Sequence, residues 1–159
     1  MKNIIIQIIL FGILLTSCSE SEVLIEGDLY FKLIDFGNLY EVDEEKIIEF
    51  KLKLDSLRLD DDPSHQKMNS EFIGYYDKLD KYGLSRLPYI YVKNDTIVRR
   101  VFLSEEAYNP LKEYSRKALL KMGKKVSLTI RAEELEKGLY YSDKIDKIDV
   151  LDGKTEWKK

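Results

Sequence analysis

Cys18 is the only cysteine in this 159-residue chain. No disulfide can form within it, so whatever folds must be held by an apolar core large enough to do so alone. The same residue closes an apolar run from Ile4 to Leu15, preceded by Lys2 and interrupted only by Gln7 and Gly12. A positive residue, an apolar stretch and small residues before a processing point read as a secretory signal. The run falls short of the ~20 apolar residues that a spanning helix needs. The expected organisation is a removable leader over 1–17, a short tether over 18–22 and one α+β domain over 23–159. That remaining length suits a single domain of ~100–150 residues.

The charge balance narrows the partners. The formal net charge is −3, and loss of Lys2 with the leader makes the mature chain one unit more acidic. Nucleic acid is excluded as a partner on this ground, because its readers carry a basic patch. The composition is also unlike a polybasic reader of lipid head groups. Tyrosine is plentiful, eleven against six phenylalanines and one tryptophan. Half-buried sheet positions account for such an excess, since the ring packs while the hydroxyl reaches water. A carbohydrate or peptide platform is the alternative reading.

Along the chain, Asp28 to Ile34 alternates Leu29, Phe31 and Leu33 against Tyr30, Lys32 and Ile34, which predicts a strand. Asp35 to Asn38 reads as a turn. Asp43 caps a helix striped by Ile47, Phe50, Leu54 and Leu57, widened by Ile48 and ended before Pro63. Ser64 caps a second helix with Met68, Phe72, Tyr75, Tyr76 and Leu79 on its apolar face, and Gly83 stops it. Pro88–Lys93 and Thr96–Leu103 flank Asn94-Asp95 as a β-hairpin. Asn109-Pro110 opens a third helix carrying Leu111, Tyr114, Ala118 and Met122, closed by Gly123. Lys125–Glu133 and Leu139–Val150 are two more strands around Gly138. The order β-α-α-β-β-α-β-β predicts an antiparallel sheet of about five strands with three helices packed on one face.

Parts for catalysis are scarce. His65 is the only histidine, so the usual three or four His/Cys zinc ligands cannot be assembled, and a Ser-His-Asp triad has one base to use. Ser64, its neighbour, is badly placed as a nucleophile, and His65 reads as a loop or helix-cap residue. No Gly-x-Ser-x-Gly elbow and no phosphate-binding glycine pattern occur. Asp60, Asp61 and Asp62 cluster, but without the calcium-loop spacing they read as a solvated helix end. Asp143, Asp146, Asp149 and Asp152 recur every third residue, which suggests a twisted or bulged terminal strand with acids outward. Lys112, Arg116, Lys117, Lys121, Lys124 and Lys125 gather on and past the third helix, where cations complement its dipole or meet membrane head groups. No catalytic residue, metal or cofactor is assigned.

Leu15-Thr16-Ser17-Cys18 resembles the lipobox of bacterial lipoproteins. The resemblance implies that Leu15, Thr16 and Ser17 are read by the signal peptidase and that cleavage falls before Cys18. It further implies that the Cys18 sulfur and the new amino terminus are acylated. An ordinary secreted protein would instead expose Cys18 as an unpaired thiol in an oxidising compartment. One acyl chain binds a bilayer only marginally, at about 10⁴ M⁻¹, whereas several hold the protein there. Ser19 is not the aspartate that resembles an inner-membrane retention signal, so the resemblance points to the outer membrane of a two-membrane bacterium. Glu20 and Glu22 resemble a surface-export pattern only in part, which leaves the periplasmic and surface faces both open. Gly27 to Phe31 and Asp152 to Trp157 resemble stretches of small, uncharacterised lipoproteins of such bacteria, a likeness that brings no activity with it. The expected function is a membrane-anchored envelope lipoprotein, a non-catalytic binding or interaction module with a protein partner at the envelope. The alternative is a carboxylate-based hydrolase of envelope or dietary polysaccharide, which needs two facing carboxyls ~5–9.5 Å apart.

Overall fold

A computed structural model describes residues 22–32, 37–155 and 157–158, the last two by their backbone alone. The leader, Cys18 with residues 19–21 of the tether, and Leu33 to Phe36 lie outside the described residues. The α+β class and the element order hold. The strands are β1 (Glu22–Lys32), β2 (Tyr89–Asn94), β3 (Ile97–Leu103), β4 (Lys124–Glu136), β5 (Leu139–Ser142) and β6 (Lys147–Asp152). That makes six rather than about five, and a two-residue strand, β7 (Trp157–Lys158), lies parallel to the end of β1. The helices are α1 (Glu44–Arg58), α2 (Pro63–Lys81), α3 (Glu105–Tyr108) and α4 (Arg116–Met122), with a 3-10 turn over Asn109–Leu111.

The sheet closes on itself. β1 pairs antiparallel with β4 from Glu22↔Glu133 to Asp28↔Ser127, then with β2 from Asp28↔Lys93 to Tyr30↔Tyr91. β2 pairs with β3, β3 with β5, and β5 with β4, so the ring runs β1-β2-β3-β5-β4 and back to β1. The β3–β5 contact is parallel, which makes the sheet mixed rather than wholly antiparallel. A five-strand Greek-key ring with a helical connection from β3 to β4 has the connectivity of an OB-type barrel. Such a ring hosts unrelated functions, so the site has to be read from its own residues.

Alternation then sorts the side chains into two apolar layers. Ile25, Leu29, Ile90, Val92, Val101, Leu103, Val126, Leu128 and Ile130 fill the interior, closed by Ala107, Leu111 and Leu119 of the β3–β4 connection. Phe102 points the other way and is fully buried under the α1–α2 hairpin, against Leu54, Tyr76, Leu79 and Leu84. Two helices thus cover the outer wall while the third helical segment packs on the inner cluster, because a closed sheet offers apolar side chains on both faces.

Several local expectations shift. Asp62, not Ser64, caps α2, its carboxylate accepting from the Ser64 N–H at 2.8 Å with Pro63 in the first turn. Asp43 stands at the start of α1 without a side-chain cap bond. Ile48 and Met68 are 59% and 65% exposed, so neither belongs to the buried stripe, and Asn69 is buried instead. The third helix is broken, with Ser104 capping α3 and Ser115 capping α4. The last strand breaks over 143–146, where buried Ser142 donates to the Arg131 and Lys144 carbonyls. Asp146 meets Arg131 at that bend, while Asp149 and Asp152, both within β6, meet Lys147 and Lys124.

Gly27 permits the double pairing of β1. A Cβ there would collide with the Lys93 carbonyl oxygen and lie 2.7 Å from its carbon, and the φ of +156° is one that side chains avoid. Replacement by Ala should lower the unfolding free energy by about 1–3 kcal/mol. Gly74, mid-helix in α2, has open space around its missing Cβ, and Ala there should stabilise by about 0.5–1 kcal/mol. Urea titrations of both variants check the pair; equal and small effects would show that β1 does not need its glycine.

Candidate functional site

The β1–β2 ladder stops at Tyr30↔Tyr91, after which Phe31 and Lys32 pair with β7. Where the two strands part, a pocket of about 320 Å³ opens. Its floor includes Leu29, Ile90 and Leu111 of the interior layer, and its walls hold Tyr30, Tyr40, Tyr89, Tyr91, Tyr108 and Tyr114. Six of the eleven tyrosines therefore converge on one place. They come from β1, the loop before α1, β2, α3 and the segment after the 3-10 turn. Lys32 and Asn38 complete the polar part of the lining, which contains no carboxylate among the described residues.

The tyrosines are held from behind. Arg100 of β3 donates through Nε to the Tyr91 hydroxyl at 2.9 Å, hydrogen-bonds Tyr75, and lies 4.9 Å from the Tyr89 ring centroid. Tyr89 and Tyr91 meet edge to face at 5.8 Å, as do Tyr40 and Tyr108, the arrangement that ring quadrupoles favour. The loop bearing Tyr40 is fixed at both ends. Asn38 donates to the Leu87 carbonyl and accepts from the Tyr40 N–H, Leu39 N–H donates to Ser85 at 2.7 Å, and Tyr76 donates to the Gly37 carbonyl at 2.6 Å. Burial, with nearby Tyr40 and Glu41, pushes the Tyr108 hydroxyl up, so it remains protonated and able to donate. Lys32 places its ammonium 4.4 Å from the Tyr91 centroid, within cation–π range.

Both sequence readings of the tyrosine excess meet here. Tyr30, Tyr89 and Tyr91 are strand positions, while Tyr40, Tyr108 and Tyr114 turn the same wall into a pocket. No local pattern announces this, because the six positions span 85 residues. Cys18 and Leu15 to Ser17 lie outside the described residues. The basic cluster is dispersed: Lys124 pairs with Asp152 at 2.7 Å, Lys125 with Asp28 at 2.9 Å, and Lys112 is raised first by a hydrogen bond with Tyr40.

The acidic cluster has a structural task at the hairpin bend. Asp60 accepts from the Asp62 N–H at 3.1 Å and from Asn69 at 3.1 Å, and meets His65 Nδ1 at 3.2 Å. Among the described residues no group of three His, Cys, Asp or Glu side chains could hold a metal. No family model, curated protein or solved structure matches the chain.

The Asp62 N–H first, then His65, hold the Asp60 carboxyl below the usual carboxylate range. A depressed folded pKa contributes stability above the unfolded value, about 4, and loses it as pH falls through the folded one. The stability gap between the parent chain and Asp60→Ala should hold constant above about pH 5 and shrink below about pH 4. Urea midpoints measured across that range check it, and a gap unchanged down to acid would exclude the carboxylate.

Proposed function

We propose that the chain is a membrane-anchored envelope lipoprotein whose folded body is a non-catalytic binding module, with the tyrosine pocket as its recognition site. The convergence of six tyrosines on one pocket carries the binding half of this reading. Aromatic side chains backed by an arginine, with Tyr30 and Tyr91 buried and the other four partly exposed, have the composition of binding hot spots. The anchoring half rests on Cys18 behind its apolar leader. Because β1 begins at Glu22, the four residues 19–22 reach at most ~14 Å when extended. A lipidated Cys18 would therefore hold the barrel against the outer membrane, where a protein partner or other envelope component comes within reach. No helix of the described residues is long and apolar enough to cross a membrane.

Hydrolysis by paired carboxylates is the weaker reading. A general acid of that class needs its pKa raised. The carboxyls that depart from their ordinary values, Asp60, Asp62, Glu136 and Asp152, all move down, each held first by a hydrogen bond.

Growth with a fatty-acid probe should label the parent chain and leave Cys18→Ala unlabelled and released from membranes. Label on the alanine variant would remove the anchor. Affinity capture of the intact chain from its own envelope should recover a partner that Tyr114→Ala loses without unfolding. Capture that ignores this substitution would place recognition elsewhere on the surface.

A further inference from the structure

We propose that the tyrosine pocket takes an acidic saccharide, a pyranose ring bearing a carboxylate, with the ring against the tyrosines and the carboxylate at Lys32. This rests on the binding reading above and narrows it to a ligand class.

The walls supply the first argument. A pyranose has apolar C–H faces and an edge of hydroxyls. A tyrosine offers the matching pair, a flat apolar ring and a hydroxyl that donates and accepts. Phenylalanine or leucine walls would suit an apolar anchor better, yet tyrosines outnumber phenylalanines six to one in this lining. The Tyr108 hydroxyl, on a partly buried side chain of the lining, stays protonated and can donate to a ring oxygen or hydroxyl.

Charge supplies the second. Lys32 is exposed at the rim, its ammonium over the Tyr91 ring, and it has no ion-pair partner among the described residues. Among the described residues no Asp or Glu lines the pocket, although the chain as a whole is acidic. An anion entering here meets Lys32 and no like charge from the described lining. Lys112 stands near the opposite wall, 5.9 Å from the Tyr108 centroid, but shares its surroundings with Glu41 and Glu105. Lys32 is therefore the residue that confers preference for the acid.

Size supplies the third. The volume of about 320 Å³ lies at the small end of ligand pockets, which run ~300–1,000 Å³. That space suits a ligand of about one or two sugar rings.

The test titrates the full chain with trigalacturonate and with neutral maltotriose, followed by calorimetry and by the NMR signals of the tyrosine rings. Trigalacturonate should bind and shift the rings of Tyr40 and Tyr108, with maltotriose about tenfold weaker or more. Lys32→Gln should bring the two sugars to the same weak affinity, and Tyr40→Ala should weaken trigalacturonate about tenfold with the melting temperature held. Equal affinity of both sugars for the parent chain, or trigalacturonate binding indifferent to both substitutions, would overturn the proposal. A third arm uses the tripeptide Asp-Phe-Asp. If it shifts those rings while both sugars fail, the saccharide class is wrong and the binding reading stands. If none of the three probes shifts them, the saccharide is excluded, and the binding reading then depends on the capture experiment with Tyr114→Ala.

Discussion

The dual pairing of β1 governs this structure. In a chain with one cysteine, five strands must be tied together by backbone hydrogen bonds and buried apolar surface alone. β1 joins the two ends of the array by pairing with β4 through its first half and with β2 through its second. Closure gives each of the five ring strands two neighbours and leaves β6 and β7 as the edges among the described residues. It also requires the strand to pass close to the backbone of β2, and Gly27 supplies the space beside the Lys93 carbonyl. Once the ring is shut, side chains alternate between an enclosed interior and an outer wall, and each side of the wall carries its own apolar cluster.

The same strand creates the pocket. β1 leaves β2 after Tyr30 to run beside β7, so the wall opens at the level of Tyr89 and Ile90. The opening is not lined by chance orientation. Arg100 fixes Tyr91 from the outer face, and the Tyr76 hydroxyl ties the Tyr40 loop to the helical hairpin. The hairpin thus does two things at once. It buries Phe102 on the outer wall and, through Gly37 and Asn38, determines where Tyr40 stands. A ligand entering there would meet side chains already ordered by the fold, which lowers the entropic cost of binding.

Periodicity in the sequence located most elements because it reports local sterics and one buried face. The β2–β3 hairpin, the two long helices and the strand after Gly123 are legible for that reason. Ile48 and Met68 were misplaced because periodicity cannot tell which apolar residues a partner element will reach; the cluster under α1 and α2 takes in Phe50, Leu54, Phe72, Tyr76 and Leu79 and leaves those two exposed. The division of the third helix follows from competing caps. Ser104 and Ser115 each accept from a backbone N–H three residues on, at Ala107 and Ala118, so two short helices replace one. The acids spaced by three are divided between the bend after Ser142, which holds Asp143 and Asp146, and β6, which carries Asp149 and Asp152. The candidate site was legible only as a surplus of tyrosine.

Sequence by itself determined that no disulfide can form within the chain, the α+β class, the order of the elements, the acidic balance and the position of the lone cysteine behind an apolar run. Each of these is a property of composition or of neighbours within a few turns of chain. Only the tertiary structure decided that the sheet would close, that β5 would lie parallel to β3, and that tyrosines from five parts of the chain would share one pocket. Those outcomes depend on contacts between residues tens of positions apart. Such contacts form where the strand array bends and splits, and no local pattern specifies where that is.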